Sequence, residues 1–234
     1  MSIKAPIVLA VDTSDLETAM AWVKATEGLM SVYKLGLEFY LNFGKEGVRA
    51  IADSTDSDIF LDLKLHDIPH TVSGAATAIS SLGVKYLTVH ASGGSAMISA
   101  AVQAVPSTFV TGVTILTSLS ESDVSAIGFK DNALDSAVGL AKLAVSAGAR
   151  AIVCSPLEIH AIRQSVGSAI TIITPGVRPV DSAGGDDQQR TMTPHDAIEK
   201  GANLVVIGRP ITSLWSQGAL AMRERAEHIC AQIL

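Results

Sequence analysis

Cysteine, positive charge and long apolar runs are all scarce in this sequence. The only cysteines, Cys154 and Cys230, lack the spacing of a metal site and fit a reducing compartment. Lysine and arginine total 17 against 23 acidic residues, and this net charge of -6 argues against nucleic-acid binding. No run approaches the ~20 apolar residues of a membrane span, and the apolar N-terminal run is too short for a secretory signal. We therefore expect a cytoplasmic protein with no nucleic-acid or membrane partner.

Short apolar segments with β-rich composition recur along the chain and alternate with alanine-rich segments of helical periodicity. With 234 residues, 48% of them hydrophobic, this pattern predicts an α/β fold, a (β/α)8 TIM barrel that forms a single domain over residues 1–234. A doubly wound open sheet is the alternative, but no glycine-rich dinucleotide fingerprint follows the first strand. The eight predicted strands are 7–12, 32–37, 58–65, 86–91, 109–116, 151–155, 171–177 and 204–209.

Three connections between the predicted strands carry further signals. Residues 117–150 have room for an extra short helix. Residues 178–193, RPVDSAGGDDQQRTMT, are polar and aperiodic, as active-site lids often are. After the sixth strand, Ser155 and Glu158 have the spacing of a capping box, in which two side chains bond the first turn of a helix.

The stretch LDLKLHDIPHT, residues 61–71, combines a strand pattern with charge. Its leucines alternate with Asp62 and Lys64, so the two charged side chains share one face of the strand. A third charged residue, Asp67, lies just beyond the strand end. Buried ion pairs stabilise proteins poorly, because the desolvation cost can exceed the Coulomb gain. The pattern therefore indicates a function that needs charge, with a structural ion pair as the alternative.

Other polar residues also fall at the predicted strand ends, where barrel active sites form. Asp12 ends the first strand, Lys34 lies in the second, and Thr117 follows the fifth. These positions predict that Asp12 and Lys34 join Asp62 and Lys64 in one site.

A phosphate site is predicted at the ends of strands seven and eight. Gly208 and Arg209 precede a predicted short helix, which offers main-chain N–H groups beside a bidentate cation. Phosphate is commonly bound at this position in such barrels. Arg178 and the pair Gln188–Gln189, in the long polar connection, could close over it.

Histidines give a weaker signal. No compact ligand motif joins His66, His70 and His90, so we predict no metal site.

Together these motifs resemble the bacterial type of the orotidine 5′-phosphate decarboxylase family. The segment DLKLHDIPHT, residues 62–71, is similar to the family signature DxKxxDIPNT, with His70 in place of the usual asparagine. The resemblance extends over nearly the whole chain, through LAVD (9–12), YKLG (33–36), VTILTS (113–118), TPGVRP (174–179), DQ (187–188) and IGRPI (207–211).

The resemblance implies a homodimer with two shared active sites, no cofactor, and conversion of orotidine 5′-phosphate to uridine 5′-phosphate in pyrimidine biosynthesis. Lys64 would protonate C6 as carbon dioxide leaves, Asp62 would face the substrate carboxylate, and Asp67 would come from the other subunit. Asp12, Lys34 and, from the partner, Thr71 would bind the ribose, and Thr117 with Ser118 would face the pyrimidine. Ile68 would also bind the substrate, and the phosphate would be held by Arg178, Gln188, Gly208 and Arg209.

Two alternatives remain at this stage. Sugar-phosphate enzymes such as hexulose-phosphate synthase share the DxKxxD core but use a divalent metal; TPGVRP, the long lid and Lys34 favour the nucleotide enzyme. A non-catalytic phosphate-binding protein would need the phosphate site without the Lys34, Asp62, Lys64 and Asp67 array.

Overall fold

The computed structural model describes residues 4–179 and 192–233 and shows a closed barrel of eight parallel strands. The predicted barrel is confirmed, and the open-sheet alternative is wrong. Except for β3, each strand ends one to three residues before its predicted end, because the last predicted residues belong to the loops or helices that follow. The strands are β1 Ala5–Ala10, β2 Met30–Gly36, β3 Asp58–Leu65, β4 Tyr86–His90, β5 Phe109–Val113, β6 Ala151–Val153, β7 Thr171–Thr174 and β8 Leu204–Ile207.

Helices connect successive strands and surround the barrel. The extra helix predicted between β5 and β6 is present as α5, ahead of the longer α6. None of the helices in the two described ranges has the length and apolar character of a membrane span. The helices are α1 Leu16–Ala25, α2 Leu37–Asp53, α3 Pro69–Ile79, α4 Gly94–Ala104, α5 Glu121–Ala126, α6 Ala133–Ser146, α7 Ile159–Val166, α8 Pro194–Glu199, α9 Arg209–Thr212 and α10 Ala219–Ala231.

Two hydrophobic clusters reflect the two faces of the strands. The interior cluster fills the barrel and includes Val8, Phe60 and Ile173. The outer cluster lies between strands and helices and includes Leu61, and Leu63 and Leu65 pack against this cluster. The leucines of β3 therefore point away from the barrel axis, as their alternation predicts. Full burial of Leu61 contributes about 1.5–3 kcal/mol, and the partly buried Leu63 and Leu65 contribute less.

The pairing of β3 with β4 contains a bulge. Leu61 pairs with Leu87 and Leu65 with Val89, so residues 62–64 of β3 lie opposite Thr88 alone. Within the bulge Lys64 has φ 49°, the single positive value for a non-glycine residue in the described ranges. Such a conformation costs about 1–3 kcal/mol, and it is maintained where surrounding contacts fix it.

The beginning of β1 and the end of α10 meet at the barrel end opposite the strand carboxyl ends. The main-chain N–H of Ala5 donates to the carbonyl of Leu29 at 2.9 Å, and Cys230 Sγ lies 4.0 Å from the same oxygen. Arg223 of α10 donates to the carbonyls of Ala25 and Glu27. These contacts close the ring of helices.

Candidate active site

A cavity of about 200 Å³ opens at the carboxyl ends of the strands. One part of its wall is polar and includes Lys34, Asp62, Lys64 and Thr117. The remaining wall is largely apolar and includes Phe60, Val113, Leu116, Val153, Pro175 and Val206. The cavity therefore places charged groups against surfaces that exclude water.

Four side chains form a chain of alternating charge at this mouth. Lys34 Nζ lies 3.2 Å from Asp12 Oδ1 and 3.6 Å from Asp62 Oδ2. Lys64 Nζ donates to both oxygens of Asp62, at 2.8 and 2.9 Å. The four residues predicted to meet from their strand-end positions are thus brought together.

Asp62 is the central anion of this chain. Burial by itself would raise the pKa of Asp62, but the charges of Lys34 and Lys64, with hydrogen bonds from Lys64 and Thr88, outweigh burial and hold it below its usual value. The carboxylate therefore stays ionised at neutral pH, fixed between two cations.

Gly36 leaves the space that the Asp12–Lys34 pair occupies. A Cβ atom at this position would lie 2.9 Å from Asp12 Oδ1 and 3.2 Å from Lys34 Nζ. A side chain here would push the two charged groups apart.

We expect Gly36→Ala to lower kcat/KM about 10- to 100-fold, because misplacing site residues by ~1 Å can cost about 100-fold even when they lie away from the reacting bond. Steady-state kinetics with orotidine 5′-phosphate, the substrate that the sequence resemblance implies, measure the effect. The matched control is Gly139→Ala on α6, where an added Cβ meets nothing within 4 Å. Unchanged kcat/KM in Gly36→Ala would show that the spacing of Asp12 and Lys34 is not critical.

A second, larger cavity of about 960 Å³ adjoins the first and shares Thr117 with it. Ser118, Gly176 and Arg209 also line this cavity. Arg209 begins the predicted short helix, α9, with Gly208 as the preceding residue. The predicted pyrimidine and phosphate residues Thr117 and Arg209 therefore face one connected space.

The predicted lid is partly described. Val177 and Met192 form a β-bridge, and Arg178 Nη1 donates to the carbonyl of Val177 at 3.0 Å. Gln188 and Gln189 lie outside the described residues.

Asp67, Ile68 and Thr71 stand apart from the charged chain. All three are exposed, Ile68 by 64%, and Asp67 Oδ1 accepts from the main-chain N–H of Ile68 at 2.6 Å. Within residues 4–179 and 192–233, Asp67 makes no ion pair with Lys34 or Lys64. The structure of one chain thus leaves this part of the predicted site outside the cavity.

Two residues of the site were missed from sequence: Thr88, which bonds Asp62, and Glu158, which lines the larger cavity. The spacing of Glu158 from Ser155 predicts only one half of a capping box. Its Oε2 does accept from the N–H of Ser155 at 3.0 Å, but Ser155 Oγ accepts from Leu157 instead, and α7 begins only at Ile159. The box is therefore half formed. Burial, with a smaller contribution from Glu121, raises the pKa of Glu158 to about 7, despite the hydrogen bond from Ser155.

We expect Glu158→Gln to weaken the pH dependence of stability. Because the folded pKa is raised, the proton on Glu158 favours the folded state fully below the unfolded pKa of about 4.3, and this contribution is lost as pH rises through about 7. Urea unfolding at about pH 5 and about pH 8 measures how much the free energy of unfolding decreases between these pH values. This decrease should be smaller in the variant than in wild type, by about 2–3 kcal/mol. Glu224→Gln, at an exposed position, is the control and should behave like wild type. An equal decrease in the free energy of unfolding in wild type and Glu158→Gln would contradict the expectation.

The group of side chains that could share a metal ion lies away from the cavities at the barrel mouth, among the residues that the structure describes. Among the described residues, the side chains close enough to share an ion are His195, Asp196 and Glu199 on α8, all exposed. His66 and His90 have ring centroids 5.3 Å apart but belong to no such group in the described ranges.

The family model described as "Orotidine 5'-phosphate decarboxylase / HUMPS family" matches residues 5–216. The chain belongs to this family. Among the relatives that match is an orotidine 5′-phosphate decarboxylase of Thermobifida fusca, 50% identical over 223 residues, which are 95% of each chain. A protein of the same name from Frankia casuarinae is 45% identical over 93% of this chain and 85% of the relative.

Solved structures of family members agree with this membership. The crystal structure of orotidine 5′-phosphate decarboxylase from Lactobacillus acidophilus superposes with a TM-score of 0.81 at 31% identity, covering 98% of this chain and 99% of the other. The resemblance identified from the sequence motifs is confirmed at the level of the family.

Proposed function

We propose that this chain decarboxylates orotidine 5′-phosphate to uridine 5′-phosphate, a reaction of pyrimidine biosynthesis, and that it acts as one barrel domain. The observation that carries the proposal is the Asp12–Lys34–Asp62–Lys64 chain at the mouth of a barrel whose named relatives are decarboxylases. The adjoining cavity with Thr117 and Arg209 offers room for the rest of a nucleotide.

The chemistry explains why charge is needed at the mouth. When the bond from C6 to the carboxylate breaks, its electron pair stays in an sp² orbital that the π system of the ring does not delocalise. The Lys64 ammonium stabilises this carbanion and then donates a proton to C6, releasing uridine 5′-phosphate and carbon dioxide. Preorganised charge in a site that excludes water is commonly the largest catalytic contribution.

Repulsion between Asp62 and the substrate carboxylate plays a smaller part. Two unit charges ~4 Å apart repel by ~4 kcal/mol at an effective dielectric of 20. Enzymes with the largest rate enhancements lower the activation free energy by ~20 kcal/mol relative to the uncatalysed reaction. Stabilisation of the carbanion by Lys64 therefore ranks above destabilisation of the ground state.

The remaining site residues bind the substrate. Asp12 and Lys34 bind the ribose hydroxyls, and Thr117 with Ser118 faces the pyrimidine. Phosphate is held by Arg178, Gln188, Gly208 and Arg209, as the family resemblance implies. The exposed Asp67, Ile68 and Thr71 complete the site of a second subunit in a homodimer.

A metal-dependent reaction, as in the hexulose-phosphate synthase alternative, fits this site less well. The Lys34 ammonium lies within 3.6 Å of both Asp12 and Asp62, so a cation already stands between the two carboxylates that would bind a metal ion. We therefore propose catalysis without metal or other cofactor. We also propose a cytoplasmic location, supported by two cysteines that are free and buried.

Release of carbon dioxide from orotidine 5′-phosphate, with and without a chelator, tests the proposed function. We expect rapid release that survives the chelator. Loss of activity with the chelator and recovery with Mg²⁺ would favour the metal-dependent alternative. Tight substrate binding without release would identify a phosphate-ligand binding protein.

We expect Arg209→Ala to lower kcat/KM for orotidine 5′-phosphate about 10- to 100-fold. Each charge-assisted hydrogen bond to the phosphate contributes about 1.5–3 kcal/mol, and remote binding energy can help align the charges around C6. The phosphate-free substrate orotidine is the control, since its slow turnover should change little. An equal proportional loss for both substrates would show that Arg209 does not bind the phosphate.

A further inference from the structure

Thr88 connects the two residues proposed to act at C6. It is fully buried on β4, and its Oγ1 donates to Asp62 Oδ1 at 2.9 Å. The same oxygen accepts from the main-chain N–H of Lys64 at 2.8 Å. One hydroxyl group therefore contacts both the side chain of Asp62 and the main chain of Lys64.

The bulge in β3 explains why this hydroxyl is needed. Residues 62–64 lie opposite Thr88 alone, so Lys64 is out of register with the ladder between Leu61–Leu87 and Leu65–Val89. The Thr88 side chain provides the acceptor for the Lys64 N–H, which a regular ladder would bond to a main-chain carbonyl. This bond also helps to hold Lys64 at its φ of 49°.

The polarity of the hydroxyl is fixed by its two partners. An ionised carboxylate only accepts hydrogen bonds and a main-chain N–H only donates, so the single hydrogen of Thr88 must point at Asp62. Valine has nearly the same shape but could make neither bond.

We infer that Thr88 is a positioning residue: its hydroxyl holds the Asp62 carboxylate and the Lys64 backbone in the relative geometry that decarboxylation requires. The claim that Thr88 assists catalysis rests on the proposed function. The claim that Thr88 stabilises ionised Asp62 does not, and it can be measured without following turnover.

Several charged or titratable groups surround Asp62, and they limit how a pH effect is interpreted. Lys64 of β3 forms an ion pair with Asp62 at 2.8 Å, and Lys34 of β2 lies 3.6 Å from it. Asp12, beyond the end of β1, contacts Lys34 from the other side. His90 of β4 interacts electrostatically with Asp62, Lys64 and His66, and burial is the main cause of its lowered pKa. A pH shift due to Thr88 must therefore persist when His90 is replaced by asparagine.

The kinetic test compares Thr88→Val with Thr88→Ser. We expect Thr88→Val to lower kcat about 10- to 100-fold with KM changed less than about threefold, since the hydroxyl acts on geometry and not on substrate binding. Thr88→Ser, which keeps the hydroxyl, should return kcat to within about threefold of wild type. The acid limb of kcat should move to higher pH in Thr88→Val, also in the His90→Asn background.

An activity-independent readout separates this inference from the proposed function. Carboxyl ¹³C NMR, with Asp62 assigned by Asp62→Asn, should show the pKa of Asp62 rising by about one unit in Thr88→Val and little in Thr88→Ser. If Thr88→Val does not fold, Thr88→Ala, which also lacks the hydroxyl, replaces it. An inactive wild type with this shift would overturn the function and leave the Asp62 contact standing. An unshifted Asp62 pKa, or equal losses of kcat in the valine and serine variants, would overturn the inference.

Discussion

Lys64→Ala is expected to leave a folded protein with almost no turnover. In the proposed mechanism, this variant loses both the ammonium that would stabilise the carbanion and the acid that would protonate C6. Electrostatic stabilisation and acid catalysis each contribute about 100-fold or more, so we expect kcat to fall at least about 10⁴-fold. The loss should appear in kcat and not mainly in KM, because the interaction develops as the carbanion forms.

Stability measurements provide the control for this variant. The lowered pKa of Asp62 stabilises the fold above its unfolded value of about 3.9, and this contribution disappears as pH falls through the folded pKa. Lys64→Ala removes part of this stabilisation by ionised Asp62. The variant should therefore be less stable than wild type at neutral pH, and the difference in stability should shrink as the pH is lowered. Lys142→Ala, at an exposed position on α6, should change neither property. Near-normal turnover of folded Lys64→Ala would refute the role of Lys64 as proton donor.

Mixing two inactive variants should restore activity. If Asp67 acts in the site of the neighbouring subunit, a heterodimer of Lys64→Ala and Asp67→Ala chains has one site with both defects and one site with neither. Equal amounts that exchange at random give about half heterodimers, so roughly a quarter of all sites should be intact. This prediction is based on the exposure of Asp67 and on its separation from the Asp12–Lys34–Asp62–Lys64 array of its own barrel.

Subunit exchange must be shown directly in this experiment, for instance by native mass spectrometry of differently tagged chains. Each variant alone, taken through the same exchange procedure, provides the baseline. If exchange is complete and activity stays at that baseline, Asp67 acts within its own chain and the shared site is wrong.

The strand pattern made much of the fold and the charged chain predictable. The β-rich segment predicted over residues 58–65 matches β3 in both bounds, and the leucines that alternate with charge in residues 61–65 pack outward. Strand-end positions were sufficient to bring Asp12 and Lys34 to Asp62 because parallel strands of a barrel all end at one mouth.

The bulge and its consequences were not predictable in the same way. Strict alternation gives no signal that residues 62–64 face one residue of β4, because register depends on pairing between distant segments. Thr88 looked like an ordinary strand residue for that reason. Glu158 was missed because its pKa depends on burial by neighbouring loops, whereas its spacing from Ser155 suggested only a cap.

The meeting of Ala5 and Cys230 at the carbonyl of Leu29 has a practical consequence for engineering. Ala5 and Cys230 lie at the floor of the barrel, and the cavities open at the opposite end. A surface or fusion partner attached beside either of these residues would face away from the cavities. The same adjacency suits circular permutation, in which a short linker connects the segments of Ala5 and Cys230 and the chain is opened in an exposed loop.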